Sequence, residues 1–263
     1  LLSAHPKILF SDELDAFYWF DEGFEAEQVY SVIKHQNMRY GKKGQLKSGY
    51  DYKIPGSMQY AWEKYPQVIG DAKGRRSSER IAQDPGFLDR LKKTVGVPIR
   101  AIVQMRHPYA MVASEKRNRL ISLEEAMENI VGDMRNMDKA VRQLEDEEKL
   151  FIYHEDFLKD PETYFKRMFE FFGVDTSDEY VKLCASKIWK KPSKGGGKKK
   201  AKRPKQKAKE LEYLDGVMRE SPLFKRYVED PALEKFSLPK KRKDAFRKWA
   251  YRSIKNLYAK SAK

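Results

Sequence analysis

The sequence predicts an α/β fold, a parallel β-sheet flanked by helices. Three observations predict it. The chain has 263 residues and is 40% hydrophobic, enough for one large domain or two small ones with a true core. Short apolar runs at 68–71, 99–105 and 150–153 each lead into a polar loop. Helical patterns follow them, so strand and helix alternate with crossovers of roughly 20 to 40 residues, as parallel pairing requires. Ligands on such sheets sit at the C-terminal ends of the strands. The loops after Ile69, Met105 and Tyr153 are therefore the places to look for a site.

Residues 1–5 read as the end of a helix closed by His5-Pro6. Lys7 to Phe10 is a short apolar stretch, broken by Ser11-Asp12-Glu13-Leu14-Asp15. Residues 16–70 are rich in aromatics, Gly and Lys without a clean period, which predicts short helices and long loops. Val68 to Asp71 reads as the tail of a strand running into a polar loop, Ala72 to Ser78. Ile99 to Met105 is a β-branched strand ended by Arg106-His107-Pro108, with a helix from about Tyr109. Ser122 and Glu125 form a capping box. Behind it Leu123, Met127, Ile130, Met134, Met137, Val141 and Leu144 make one apolar stripe, read as core packing. Leu150 to Tyr153 is a short buried strand. Asp160-Pro161 opens the next helix and Gly173 ends it.

Residues 190–209 carry eleven Lys/Arg, no acid and Gly195-Gly196-Gly197, a composition that packs no element on its own. Residues 210–228 look helical. Residues 240–258 form a basic amphipathic helix with Phe246, Trp249, Ile254 and Leu257 on or near one face. The expected organisation is an α/β domain over 1–189, a basic Gly/Lys loop or linker over 190–209, and a C-terminal helical extension with a basic tail over 210–263.

Charge and cysteine content exclude several classes. The formal charge is +15, from 54 Lys+Arg against 39 Asp+Glu, but 190–209 and 239–263 hold the excess and leave a mildly acidic body. That disfavours a whole-chain or sequence-specific nucleic-acid binder, and leaves the two basic segments for contact with an anionic surface. Cys184 is the only cysteine, so an intrachain disulfide and a cysteine zinc site are excluded. The four histidines are too scattered to suggest a metal centre. One cysteine leans toward a reducing cytosol; localisation is otherwise open. There is no apolar run near 18 residues. The chain opens Leu1-Leu2-Ser3 without Met and reads as a fragment or processed chain.

Two stretches carry candidate chemistry. Arg106 leaves the best strand and Ser114 follows eight residues later, a workable phosphate clamp of guanidinium, hydroxyl and helix N–H groups. An Arg at a strand end with a Ser on a helix surface gives the same spacing. Residues 70–78, GDAKGRRSS, superficially imitate a phosphate-binding loop; that reading leads to a P-loop kinase-like phosphoryl transferase needing Mg²⁺ ligands near the serines.

Four segments in order carry a resemblance. LLSAHPKILFSDELD (1–15), VIGDAKG (68–74), IRAIVQMRHPYAMVAS (99–114) and IYHEDFLKDP (152–161) resemble segments of sulfotransferases that use 3'-phosphoadenosine 5'-phosphosulfate (PAPS). The resemblance covers about residues 1–175. It implies a P-loop nucleotide kinase-like sulfotransferase fold lacking its first strand and phosphosulfate loop, which would end just before Leu1. Residues 1–263 alone are then expected to transfer little. It implies a sulfuryl transfer from PAPS, without a metal, to a hydroxyl or amine of a carbohydrate or glycolipid. A protein tyrosine is a live option, since the spacing of Glu13 resembles that of tyrosylprotein sulfotransferases; a small-molecule acceptor is a further alternative.

The resemblance also assigns roles. Glu13 is the candidate base, with Asp12 and Asp15 as rivals, and His35 as the base if the chain follows the histidine-using branch. Lys73 stabilises the leaving phosphate or contacts the acceptor, with Arg75 and Arg76 as neighbours. Arg106 and Ser114 grip the 3'-phosphate. His154 stands where the family usually has a Tyr near the adenine. Lys194 and Gly195 fall at a late loop that closes on the 3'-phosphate. A non-catalytic chain binding nucleic acid or anionic membrane through 190–209 and 239–263 is the remaining alternative.

Overall fold

The computed structural model describes residues 1–42, 46–47, 50–51, 54, 66–188, 208–230 and 233. A 3₁₀ turn, Leu2–Ala4, leads into β1 (Ile8–Asp12), α1 (Ala16–Asp21) and α2 (Ala26–Lys42). The two-residue strands β2 (Leu46–Lys47) and β3 (Tyr50–Asp51) pair antiparallel. Then come β4 (Val68–Ala72), α3 (Gly74–Gln83), α4 (Phe87–Val95), β5 (Ala101–Met105), α5 (Pro108–Arg119) and α6 (Leu123–Val141). They are followed by β6 (Lys149–Tyr153), α7 (His154–Lys159), α8 (Pro161–Phe172), α9 (Asp178–Ser186), α10 (Ala208–Glu220) and α11 (Arg226–Glu229).

The fold is α/β, with short strands flanked by helices. β1 and β4 pair in parallel, with Ile8 opposite Val68 and Asp12 opposite Ala72. β5 pairs with β6. Among the described residues the two pairs are not joined by strand hydrogen bonds, where the sequence suggested one sheet.

The described residues divide into two compact units, those of 1–104 with 139–193, and those of 105–138 with 194–263. In the first, one core cluster joins Ile8 of β1 and Ile152 of β6 to Phe165, Phe169 and Phe172 of α8 and to Val181 and Cys184 of α9. Leu9 packs instead with Ala16, Val29 and Ile33 of α1 and α2, as alternation along a strand demands. Gly70 is dictated by this packing: the Phe10 ring lies where a Cβ would stand, 2.7 Å away. The outer edge of β1 is covered by α2. The Gln36 amide accepts from Asp12 N at 3.0 Å and donates to Asp12 O at 3.2 Å, and Asn37 Nδ2 donates to Phe10 O.

In the second unit the core draws on Val112 of α5, Met127, Ile130 and Met134 of α6, Leu214 and Met218 of α10, Phe224 in the turn after it, and Tyr227 of α11. Of the methionine stripe, Met127 and Met134 are core, as expected, and Met137 is half-buried. Tyr109 donates its hydroxyl proton to Asp215, and burial, then that carboxylate, raises its pKa above the ordinary phenol range.

Two helices correct the sequence reading. α2 runs 17 residues through a stretch without a clean apolar period. Its buried face is Ala26, Val29, Ile33 and then Asn37; the polar fourth position interrupts the stripe. α3 starts at Gly74, inside the expected loop 72–78. Ile81 is its only buried residue, so no apolar period announces it. The basic helix expected over 240–258 lies outside the described residues.

Candidate active site

Because β1 and β4 are parallel and in register at Asp12 and Ala72, the residues just past their ends are neighbours. Those residues are Glu13 and Lys73. Lys73 Nζ lies 3.8 Å from Glu13 Oε2, with the two side chains 30% and 60% exposed. This is where the general rule for such sheets places a ligand site. An ion pair so open to water contributes only about 0–1 kcal/mol to stability. The pair is therefore not what holds this corner together.

Asp71 holds it. Its Oδ1 accepts from Ser11 Oγ at 2.7 Å, Leu14 N at 3.1 Å and Ala72 N at 2.9 Å; Oδ2 accepts from Ala16 N at 2.9 Å. Glu13 and Asp15 both have left-handed backbone, with φ of 59° and 65°. That conformation is costly for residues with a Cβ and persists where surrounding bonds impose it. Asp15 occupies the N-cap of α1 but makes no side-chain cap bond; Asp71 supplies that bond from the neighbouring strand. Sequence reading assigned Asp71 only to a strand tail. One signal was available: Asp is depleted in strands, so one beside a strand end asks for a partner.

The rival bases are placed differently. Asp12 is half-buried, with its backbone clasped by Gln36. Asp15 is half-buried, with Oδ1 enclosed and lacking a hydrogen-bond partner. His35 is exposed on α2. His5 is structural: Nδ1 accepts from Lys7 N at 3.2 Å and Nε2 faces Asp175 O at 3.0 Å. Burial pushes the Cys184 thiol up to about 11, which removes it as a nucleophile.

In the second unit, Arg106 is exposed between β5 and α5, and Ser114 is half-buried in the second turn of α5, its Oγ accepting from Asn118 at 3.3 Å. One expectation is corrected here. The backbone N–H groups of this helix start are engaged by His107: Tyr109 N donates to its ring nitrogen at 3.3 Å, and Ala110 N and Met111 N to its carbonyl at 2.9 and 3.1 Å. Pro108 has no N–H to offer. Any clamp here rests on the Arg106 and Ser114 side chains.

His154 opens α7 directly after β6 and is half-buried. Lys194 and Gly195 lie outside the described residues. The imitation of a phosphate loop at 70–78 does not hold. Lys73 alone separates β4 from α3, and one residue cannot form the several-residue cradle a P-loop needs.

A carboxylate beside an ammonium at a strand-end corner can take a proton from a hydroxyl and stabilise negative charge developing next to it. No family model matches the sequence, and no curated protein matches it. Among solved structures, the chain is similar to a sulfotransferase domain from the curacin biosynthetic pathway, at 17% identity and a TM-score of 0.37. That alignment covers 64% of this chain and 56% of that one, so this chain spans little more than half of that domain's length. It is also similar to a sulfotransferase domain from the Synechococcus PCC 7002 olefin synthase, at 16% identity and a TM-score of 0.44, over 90% of this chain and 81% of that one.

Proposed function

We propose that this chain belongs to a PAPS-dependent sulfotransferase acting on a hydroxyl or amine of a carbohydrate or glycolipid. The observation that carries the reading is the Glu13–Lys73 pair at the ends of two parallel strands, in segments whose sequences resemble that family. Glu13 takes the acceptor proton. Lys73 offers its ammonium to charge building up at the reacting group. The Arg106 guanidinium and Ser114 hydroxyl, both donors, suit a phosphate. The His154 imidazole suits an adenine face, and the cations around Lys194 and Gly195 suit the phosphates of the nucleotide. PAPS, when bound, supplies a sulfuryl group already activated on a phosphate. The basic segments 190–209 and 239–263 favour an acidic acceptor or an anionic surface as partner.

The test is transfer from PAPS to a panel of oligosaccharide, glycolipid and tyrosine-peptide acceptors by the full-length protein. Glu13→Gln lowers kcat by roughly 10²–10⁴-fold, the scale of a lost general base, and leaves PAPS affinity unchanged. Asp12→Asn and Asp15→Asn stay near wild type. Arg106→Ala weakens adenosine 3',5'-bisphosphate binding by about 1.5–3 kcal/mol, the scale of a charge-assisted hydrogen bond. Turnover lost in Asp12→Asn, Asp15→Asn or His35→Ala but kept in Glu13→Gln would assign the base elsewhere.

A further inference from the structure

We infer that Asp71 is the positioning residue of Glu13: its carboxylate clamps the loop 13–16 in the strained conformation that presents Glu13 to Lys73. The inference rests on the reading of Glu13 as a base. Three observations converge on it. First, Asp71 lies opposite Ser11 in the β1–β4 register, one residue before the strands end. Its carboxylate therefore reaches the start of the loop without leaving the sheet. Second, its four accepted bonds bracket Glu13. Ser11 precedes it, Leu14 follows it, and Ala16 opens α1. The fourth, from Ala72 N, ties the carboxylate to its own strand, next to Lys73. Third, two residues with a Cβ in that loop hold left-handed backbone, which a free loop disfavours.

One carboxylate thus fixes both partners of the pair. It holds the Glu13 loop from β4 while β4 itself delivers Lys73. An Asn at position 71 keeps the shape but not the function. Its amide offers one acceptor oxygen, and turns N–H donors toward either Leu14 N and Ala72 N or Ala16 N. Part of the clamp becomes a clash of donors, and the loop relaxes.

The experiment pairs kinetics with amide hydrogen exchange on the full-length protein, using Asp71→Asn, Ser11→Ala, Glu13→Gln and the double variant Asp71→Asn/Glu13→Gln. Asp71→Asn should speed exchange of the Leu14 and Ala16 amides at least tenfold. It should lower kcat about 10–100-fold, the scale of a slightly misplaced catalytic group, with KM for PAPS near wild type. The double variant should be no slower than Glu13→Gln alone, because a positioning residue has nothing left to position. Ser11→Ala removes one donor and keeps the carboxylate. It should move exchange and kcat the same way by about threefold, and it serves if Asp71→Asn does not fold.

Unchanged exchange at Leu14 and Ala16 overturns the clamp. Additive losses in the double variant show that Asp71 acts by another route and overturn the positioning role, while the base assignment stands. If Glu13→Gln turns over like wild type, the base assignment falls and the positioning role falls with it. The exchange data tell that failure from the first.

Discussion

Glu13 carries two properties that pull against each other, a side chain placed for chemistry and a backbone placed at a cost. A left-handed residue with a Cβ costs roughly 1 kcal/mol over glycine. Glu13→Gly should therefore be about 1 kcal/mol more stable than Glu13→Ala in urea denaturation, while neither transfers. The comparison removes the side chain in both variants and leaves only the backbone term. Equal stabilities would mean that the loop is not strained at this position. The strand end before Lys73 was legible in the sequence, whereas Glu13 was reached only through the resemblance of its segment, and the strand β1 that carries it was read as an apolar stretch broken at Ser11. Asp71 was missed. Its role arises from a register that sets it opposite Ser11, 60 residues away, and no local pattern encodes that register.

Helices with local caps were the easiest elements to read. Ser122 and Glu125 form the expected reciprocal bonds at 3.1 and 2.8 Å, and Asp160 accepts from Thr163 N at 3.2 Å beside Pro161. Gly173 ends α8 with φ of 70°. α2 and α3 escaped because their periods are broken by Asn37 and by a run of charge. The caps and surface pairs also predict a pH dependence. Backbone and side-chain bonds from Ser122 hold the Glu125 carboxyl below its usual range. Lys166 does the same for Asp178, and Arg90 for Asp84. A lowered native pKa means the unfolded chain binds more protons in acid. The stabilisation is complete above the unfolded values near 4 and is lost as pH falls through the native ones. The urea midpoint should accordingly fall from about pH 5 downward. Glu125→Gln keeps a cap but cannot titrate there, so its profile should be flatter. A parallel profile would show that this cap contributes nothing to acid sensitivity.

At the level of the whole molecule, composition read correctly that a basic excess rides on a mildly acidic body. It could not reveal that residues 105–138 cluster with the described residues of the C-terminal segment, 208–230 and 233, and not with their sequence neighbours, because that grouping depends on contacts far apart in the chain. The charge distribution leads to a separate expectation. Replacing Lys198, Lys199, Lys200, Lys240, Lys241 and Lys243 with Gln should move elution from heparin to clearly lower salt, since salt screens electrostatic attraction over a length of only about 8–10 Å. Elution at an unchanged salt concentration would show that the body, and not these segments, makes the anionic contact.

The amide clasp of Gln36 and Asn37 on β1 has a consequence for how the protein behaves in a crowd. A bare strand edge is a template on which another chain can lay its own backbone, the first step toward aggregates. On β1 the N–H and C=O of Asp12 and the C=O of Phe10 are already committed to helix side chains. A stranger arriving at that end of the rim finds these three groups taken, and must first displace a 17-residue helix that is also packed into the core through Val29 and Ile33.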